Sequence, residues 1–151
     1  MHSPQMNADD RRYKHSELTE KIIGIFYDVY NELGFGFLES VYESAMALAF
    51  TEQRLPFERQ VSIPVYFHNQ QIGAYDADLL VGGLVLLELK ACKAIEPAHE
   101  AQLLHYLRST TVEVGLLLNF GPRPQVRRMA FENERKQISV HLRKSAAEGS
   151  L

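Results

Sequence analysis

The 151-residue sequence has one cysteine, Cys92, so no disulfide can form within the chain. That fits a reducing compartment. One cysteine also excludes a four-cysteine zinc or iron–sulfur site. No apolar run approaches the ~20 residues that a membrane helix needs. The opening "MHSPQMNADDRRYKHSE" has no apolar segment of the kind that marks a secretion signal. A cytoplasmic protein with no membrane partner is therefore expected. A Ser-His-Asp arrangement is missing, and "GFGF" lacks the later glycine and the lysine of a phosphate-cradling loop. His99 and His105 stand six apart on one helical segment, on different faces, and form no metal pair. Cys92 reads as a small buried hydrophobe rather than a nucleophile.

What is present is the composition of one ordinary globular domain, 46% hydrophobic and 23% charged. The net charge is −3 but it is unevenly spread. Residues 1–120 carry 9 Lys and Arg against 16 Asp and Glu, and residues 121–151 carry 7 against 3. The basic end, with Arg127 and Arg128 among its members, is a candidate phosphate track or a solvated surface. Residues 1–14 are polar and aperiodic and are expected to be a disordered arm. Residues 15–144 are expected to form a single domain, and residues 145–151 a frayed tail.

Within that domain, helical spacing from His15 to Gly34 puts Leu18, Ile22, Phe26, Val29 and Leu33 on one stripe, with Ser16 as N-cap and Gly34 as stop. A second helix over about 38–53 is expected to use Leu38, Val41, Tyr42, Ala45, Leu48 and Ala49 as its apolar face. After Pro56 the period changes to two. "ERQVSIPVYFHN" predicts a strand in which Pro64 marks an edge or a bulge. "QQIGAYDADLLV" predicts a second strand and "LVLLELKA" a third, apolar enough to be central. Pro97 opens a third helix, "VEVGLLLNF" is a buried strand, "VRRMAFEN" an edge strand and "KQISVHLRK" a weaker strand candidate. The fold class is thus α/β, a mixed sheet flanked by helices in the order α-α-β-β-β-α-β-β.

Charges interrupt the most apolar part of this pattern. Asp76, Asp78, Glu88 and Lys90 lie inside "YDADLLVGGLVLLELKA", where an unpaired buried charge costs several kcal/mol. A two-residue Gly82-Gly83 turn would send Asp78 and Glu88 to opposite faces. A three-residue loop, Val81-Gly82-Gly83, would pair Asp78 with Leu86 and bring it diagonal to Glu88. Converging acids repel unless a cation sits between them, and hard oxygen ligands suit Mg²⁺ or Mn²⁺. A lysine beside them would complete a phosphodiester-hydrolysing site. The competing structural reading is a salt bridge from Lys90 to Glu88 or Asp78.

Asp78 followed by Glu88-Leu89-Lys90 resembles the PD-(D/E)xK nuclease signature, whose core has the element order read above. Gly36, Glu39 and Tyr42 in "GFLESVY" resemble the G-x-x-E-x-x-Y motif of a small family within that superfamily. "LTEKIIG", "ADLLV", "ELKA", "HEAQLLHYLR" and "GLLLNFG" add to the likeness, which spans about Leu18 to Arg128. The resemblance implies a restriction-endonuclease-like fold with Glu39, Asp78 and Glu88 as ligands of Mg²⁺ or Mn²⁺ and Lys90 as the catalytic lysine. Gln102 and Tyr106 match the Q-x-x-x-Y helix motif of RecB-like nucleases, so Gln102 joins the catalytic set and Tyr106 the substrate-binding candidates, with His99, Arg127 and Arg128. Ala77 stands where the signature often has proline, and Asp76 is a second candidate for the acid of that strand.

The implied function is a metal-dependent nuclease acting on nucleic acid, with DNA placed ahead of RNA although no residue pattern separates them. The alternative is a non-cleaving nucleic-acid or protein interaction subunit that keeps the fold. Intact acids and lysine favour cleavage, because a degenerate site loses its costly charges. Tyr30, Phe35, Phe37 and Phe67 do not all fit one core, which suggests a homodimer.

Overall fold

The computed structural model describes residues 14–136. Two helices come first, α1 (Ser16–Leu33) and α2 (Glu39–Glu52), followed by three strands, β1 (Phe57–Phe67), β2 (Gln70–Val81) and β3 (Val85–Lys90). Helix α3 (Pro97–Ser109) leads into β4 (Val114–Phe120) and β5 (Pro124–Ala130), and a 3₁₀ turn covers Asn133–Arg135. This is the expected order. Apart from Lys14 and Lys136, the expected arm, tail and last strand candidate fall outside the described residues.

The five strands form one sheet in chain order, β1-β2-β3-β4-β5. β3 and β4 run parallel, and every other neighbouring pair is antiparallel. α3 is the crossover that a parallel pair requires. β3 is central, as its unbroken apolar run predicted, and β1, with Pro64 in it, is an edge. No helix among the described residues is long and apolar enough to cross a membrane.

Each sheet face has its own apolar cluster. Ile22, Phe26, Tyr42, Met46 and Phe50 of α1 and α2 pack on Leu79, Val81, Val85, Leu87 and Leu89. Leu103 and Leu107 of α3 pack on Ile63, Ala77, Leu86 and Leu117. Ala77 and Leu79 thus lie in different clusters although they are two apart on β2. On a regular strand such residues share a face, so β2 turns over at Asp78.

Four sequence expectations need correction. His15, in a left-handed conformation, holds the N-cap position of α1 without a side-chain capping bond, and Ser16 is the first helical residue. α2 buries Tyr42, Glu43, Met46, Ala47 and Phe50, while Leu38, Val41 and Leu48 are exposed. This helix is apolar on two sides, so periodicity alone could not say which side meets the sheet. The β2–β3 turn is Gly82-Gly83-Leu84, closing the pair Val81 and Val85. It has three residues, one position later than the three-residue loop read from the sequence, and both glycines have positive φ (61° and 70°). Finally, Tyr30 is accounted for within the chain, since its hydroxyl donates to the Gly121 and Pro122 carbonyls at 2.7 and 3.0 Å. Phe35, Phe37 and Phe67 remain exposed.

Candidate active site

β2 and β3 pair only over Leu79–Val81 and Val85–Leu87. Beyond that point the strands part, and the acids occupy the opening. Continuing the register sets Asp78 opposite Glu88, a closer relation than either loop read from the sequence would have made. The Asp78 carboxylate takes the place of the missing ladder bond, since its Oδ2 accepts the Leu89 N–H at 2.9 Å. Burial raises the Asp78 carboxyl above its ordinary range; the Leu89 N–H opposes this, and the negative charges of Glu43 and Glu39 add to it.

Glu88 is half-buried, and its Oε1 is buried with no hydrogen-bond partner among the described residues. Burial pushes this carboxyl up to about 7; Lys90 pulls it down and Glu39 pushes it further up. Lys90, two residues on, is half-buried beside Asn119 of β4. Among the described residues the ion pairs are Lys14–Glu113, Arg59–Glu43 and Arg127–Glu100, so no carboxylate is within pairing distance of Lys90. The salt bridge from Lys90 to Glu88 or Asp78, the competing structural reading, is therefore not formed.

Glu39 is the first residue of α2 and its Oε2 accepts the Ala91 N–H at 3.3 Å, just past the end of β3. A carboxylate at that end of a helix is favoured by the backbone dipole. The other two residues of its motif shape the approach. Gly36 has φ 116°, and the Tyr42 hydroxyl donates to the Gly34 carbonyl at 2.6 Å while accepting the Phe37 N–H at 3.2 Å. Tyr42 is fully buried, with its ring stacked on Phe120 at 4.1 Å. The tyrosine thus fastens the loop that delivers Glu39.

The remaining sequence candidates are placed as follows. Gln102 is exposed on α3 and donates to the Tyr106 hydroxyl at 3.2 Å. The Tyr106 ring stacks on Tyr75 of β2 at 3.5 Å, which sets this helix face three residues before Asp78. His99 has a local duty: with Glu96 it forms the capping box of α3, its Nδ1 accepting the Glu96 N–H at 3.1 Å. Arg127 and Arg128 lie on β5, two strands from β3. Arg127 pairs with Glu100 at 2.9 Å, and Arg128 donates to the Lys14 carbonyl at 2.6 Å. Lys136, counted with the basic end, is buried and donates to the Thr110 and Val112 carbonyls. Asp76 is exposed and pairs across from Ser62 on β1.

Two groups of side chains were not foreseen. Glu43, one turn after Glu39, is buried and accepts from Arg59 Nε at 3.0 Å and Gln60 Nε2 at 2.6 Å. Its signal in the sequence was the spacing of four on one helix, which puts both acids on the same face. Asn119, buried in β4, accepts the Cys92 N–H and donates to the Cys92 carbonyl and to Gln125, each at 3.0 Å. Gln125 in turn accepts the Ile95 N–H at 2.9 Å. Together these amides hold the segment that follows Lys90. A polar residue within the apolar run "VGLLLNF" was its signal.

Among the described residues, no group of three His, Cys, Asp or Glu side chains is gathered closely enough to hold an ion as it stands. The donor set nevertheless suits a hard cation. Glu39, Asp78 and Glu88 come from three elements that border the strand opening, and the charge of Glu39 raises the carboxyls of both Asp78 and Glu88. One of them keeps a buried oxygen without a partner.

Comparison with known proteins bears on this arrangement. The PD-(D/E)XK nuclease superfamily matches residues 16–129. The chain belongs to that superfamily, and its mixed sheet between helices is the restriction-endonuclease-like fold. Among solved structures, an alkaline exonuclease from Laribacter hongkongensis is similar at 15% identity and a TM-score of 0.46. That similarity covers 72% of this chain and 66% of the exonuclease, just under two thirds of its length. The protein SSO0001 is similar at 18% identity and a TM-score of 0.48, over 92% of this chain and 69% of that one. No curated protein matches the sequence.

Proposed function

We propose that this protein is a divalent-metal-dependent nuclease of the G-x-x-E-x-x-Y, RecB-like type, cleaving phosphodiester bonds in nucleic acid, DNA ahead of RNA. One observation carries the reading. On β3, two residues apart, Glu88 keeps a buried oxygen without a partner and Lys90 has no ion pair among the described residues. Charges kept only for structure are paired when buried. Two charged groups left without partners at a strand opening, inside a nuclease superfamily, have a chemical use.

Glu39, Asp78 and Glu88 would hold Mg²⁺ or Mn²⁺, and the bound ion would supply Lewis acidity toward a phosphoryl oxygen and a water of lowered pKa. Asp78, tied to the Leu89 N–H through Oδ2, would offer its other oxygen to the ion. Lys90 places an ammonium beside the reacting phosphate, where it orients the attacking water and balances charge that develops on the phosphoryl oxygens. Gln102 donates from α3 to a phosphate or water, and Tyr106, stacked on Tyr75, keeps that helix face in place. Arg127, Arg128 and His99 contribute weaker contacts to the strand. We include a cytoplasmic location and a two-fold homodimer, the latter supported by exposed Phe35, Phe37 and Phe67. Light scattering that gives a monomer mass removes the dimer.

The decisive experiment is cleavage of single-stranded DNA, duplex DNA and RNA with Mg²⁺ or Mn²⁺, with and without chelator, beside Lys90→Ala. Metal-dependent cleavage is expected, lowered by about 10²-fold in the variant, the scale for losing one charged stabiliser. Nucleic-acid affinity should stay near the wild-type value. No cleavage of any substrate, or cleavage unchanged by Lys90→Ala, overturns the reading.

A further inference from the structure

β1 and β2 pair regularly from Phe57 with Val81 to Arg59 with Leu79, and again from Val61 with Ala77. The one pair omitted between them is Gln60 with Asp78. Gln60 has φ 49°, the left-handed region, which a long side chain rarely adopts. The apolar clusters record the consequence. Phe57 packs with the α1–α2 side and Val61 with the α3 side, just as Leu79 and Ala77 do on the partner strand. Both strands therefore turn over at Gln60 and Asp78. Backbone held in a sparsely populated conformation tends to persist where function requires it.

The Gln60 side chain meets the acid that this turn presents. Its Nε2 donates to Glu43 Oε1 at 2.6 Å and lies 3.5 Å from Asp78 Oδ1, the oxygen that Leu89 does not use. Glu43 is held in turn by Arg59, whose Nη2 also donates to Ser44 Oγ at 3.2 Å. One amide group thus stands between two carboxylates that would otherwise face each other unscreened. An amide is suited to this because it offers two hydrogens and carries no charge to compete with a cation.

From this geometry, and resting on the nuclease reading above, we infer that Gln60 is a positioning residue for the metal site. It fixes the position of Asp78 Oδ1, and with Arg59 it keeps Glu43 out of the ligand set. Outer partners of this kind orient a ligand and typically change metal affinity by about 10–100-fold when removed.

The test compares wild type, Gln60→Gly and Gln60→Asn. Glycine and asparagine both accept a left-handed backbone, so both variants should fold. Glycine deletes the amide, and asparagine is too short to reach Glu43 and Asp78 together. Calorimetric titration with Mn²⁺ should show about tenfold weaker binding in each. Cleavage of an oligonucleotide should lose kcat with KM retained in both variants. Mn²⁺ affinity unchanged in both variants, with or without a lower melting temperature, overturns the inference while the nuclease reading stands. A wild-type protein that binds no Mn²⁺ overturns both.

Discussion

Asp78 of β2 accepts the backbone N–H of Leu89, the residue between Glu88 and Lys90 on β3, at 2.9 Å. The acid is thereby tied to the strand that carries the other charges, across a gap where the two strands no longer pair.

That tie separates the effects of two substitutions. Asp78→Ala leaves the Leu89 N–H without a partner and should cost about 1–3 kcal/mol. Asp78→Asn keeps an acceptor and removes a charge that burial, Glu43 and Glu39 all disfavour. Its metal-free stability should match or exceed the wild type. Mn²⁺ at about 100 times its Kd should add about 2.7 kcal/mol to the wild type and little to Asp78→Asn. Chemical denaturation with and without Mn²⁺ measures both.

Glu88 makes stability depend on pH. Its carboxyl is near 7 in the folded chain against an ordinary 4.5. Between those values the folded state binds more protons than the unfolded state, so stability falls as pH rises. The contribution is fully present below pH 4.5 and is lost by about pH 7, a span of about 3 kcal/mol. Glu88→Gln should flatten this window and be more stable than the wild type at pH 8 without metal. Urea unfolding at pH 5, 6, 7 and 8 follows it. A wild-type profile no steeper than that of Glu88→Gln contradicts the assignment.

Tyr42→Phe keeps the ring against Phe120 but removes both hydrogen bonds to the Gly34–Phe37 loop. A loss of about 1–2 kcal/mol is expected, with an unchanged denaturant slope. Cleavage should fall less than in Lys90→Ala, because Glu39 stays on α2.

Asn119→Leu replaces a buried amide by an apolar side chain of similar size. The N–H and carbonyl of Cys92 then lose their partner, at a cost of about 1–3 kcal/mol for each group left buried. The segment after Lys90 should loosen, and hydrogen exchange at Cys92 and Ile95 should report it. Protection equal to wild type there would show that Asn119 does not anchor this segment.

Much of the fold was legible because local patterns were strong. The apolar run of β3 required a sheet partner on each side, and Pro97 after that strand announced the crossover helix. α2 was legible as a helix but not in its orientation. Leu38, Val41 and Leu48 make as good an apolar stripe as Tyr42, Met46 and Phe50, and only the position of the sheet chose between them. Asp78, Glu88, Lys90 and Glu39 stood out as charges in apolar or motif contexts. Gln60 did not, and the signals of Glu43 and Asn119 named no partner, because an isolated polar residue carries no record of what it meets.

By itself, the sequence determined the element order, the central place of β3 and the residue types gathered near its end, since all of these follow from periodicity and from the cost of burying charge. Whether those residues could meet was decided by tertiary structure. Strict alternation along β2 would have kept Ala77 and Leu79 on one face, yet they pack on opposite faces because Gln60 adopts a left-handed backbone beside Asp78. No composition or spacing encodes that conformation. It exists because β1, β2 and α2 pack together around Glu43, and the contacts of all three hold one residue where its own preference would not.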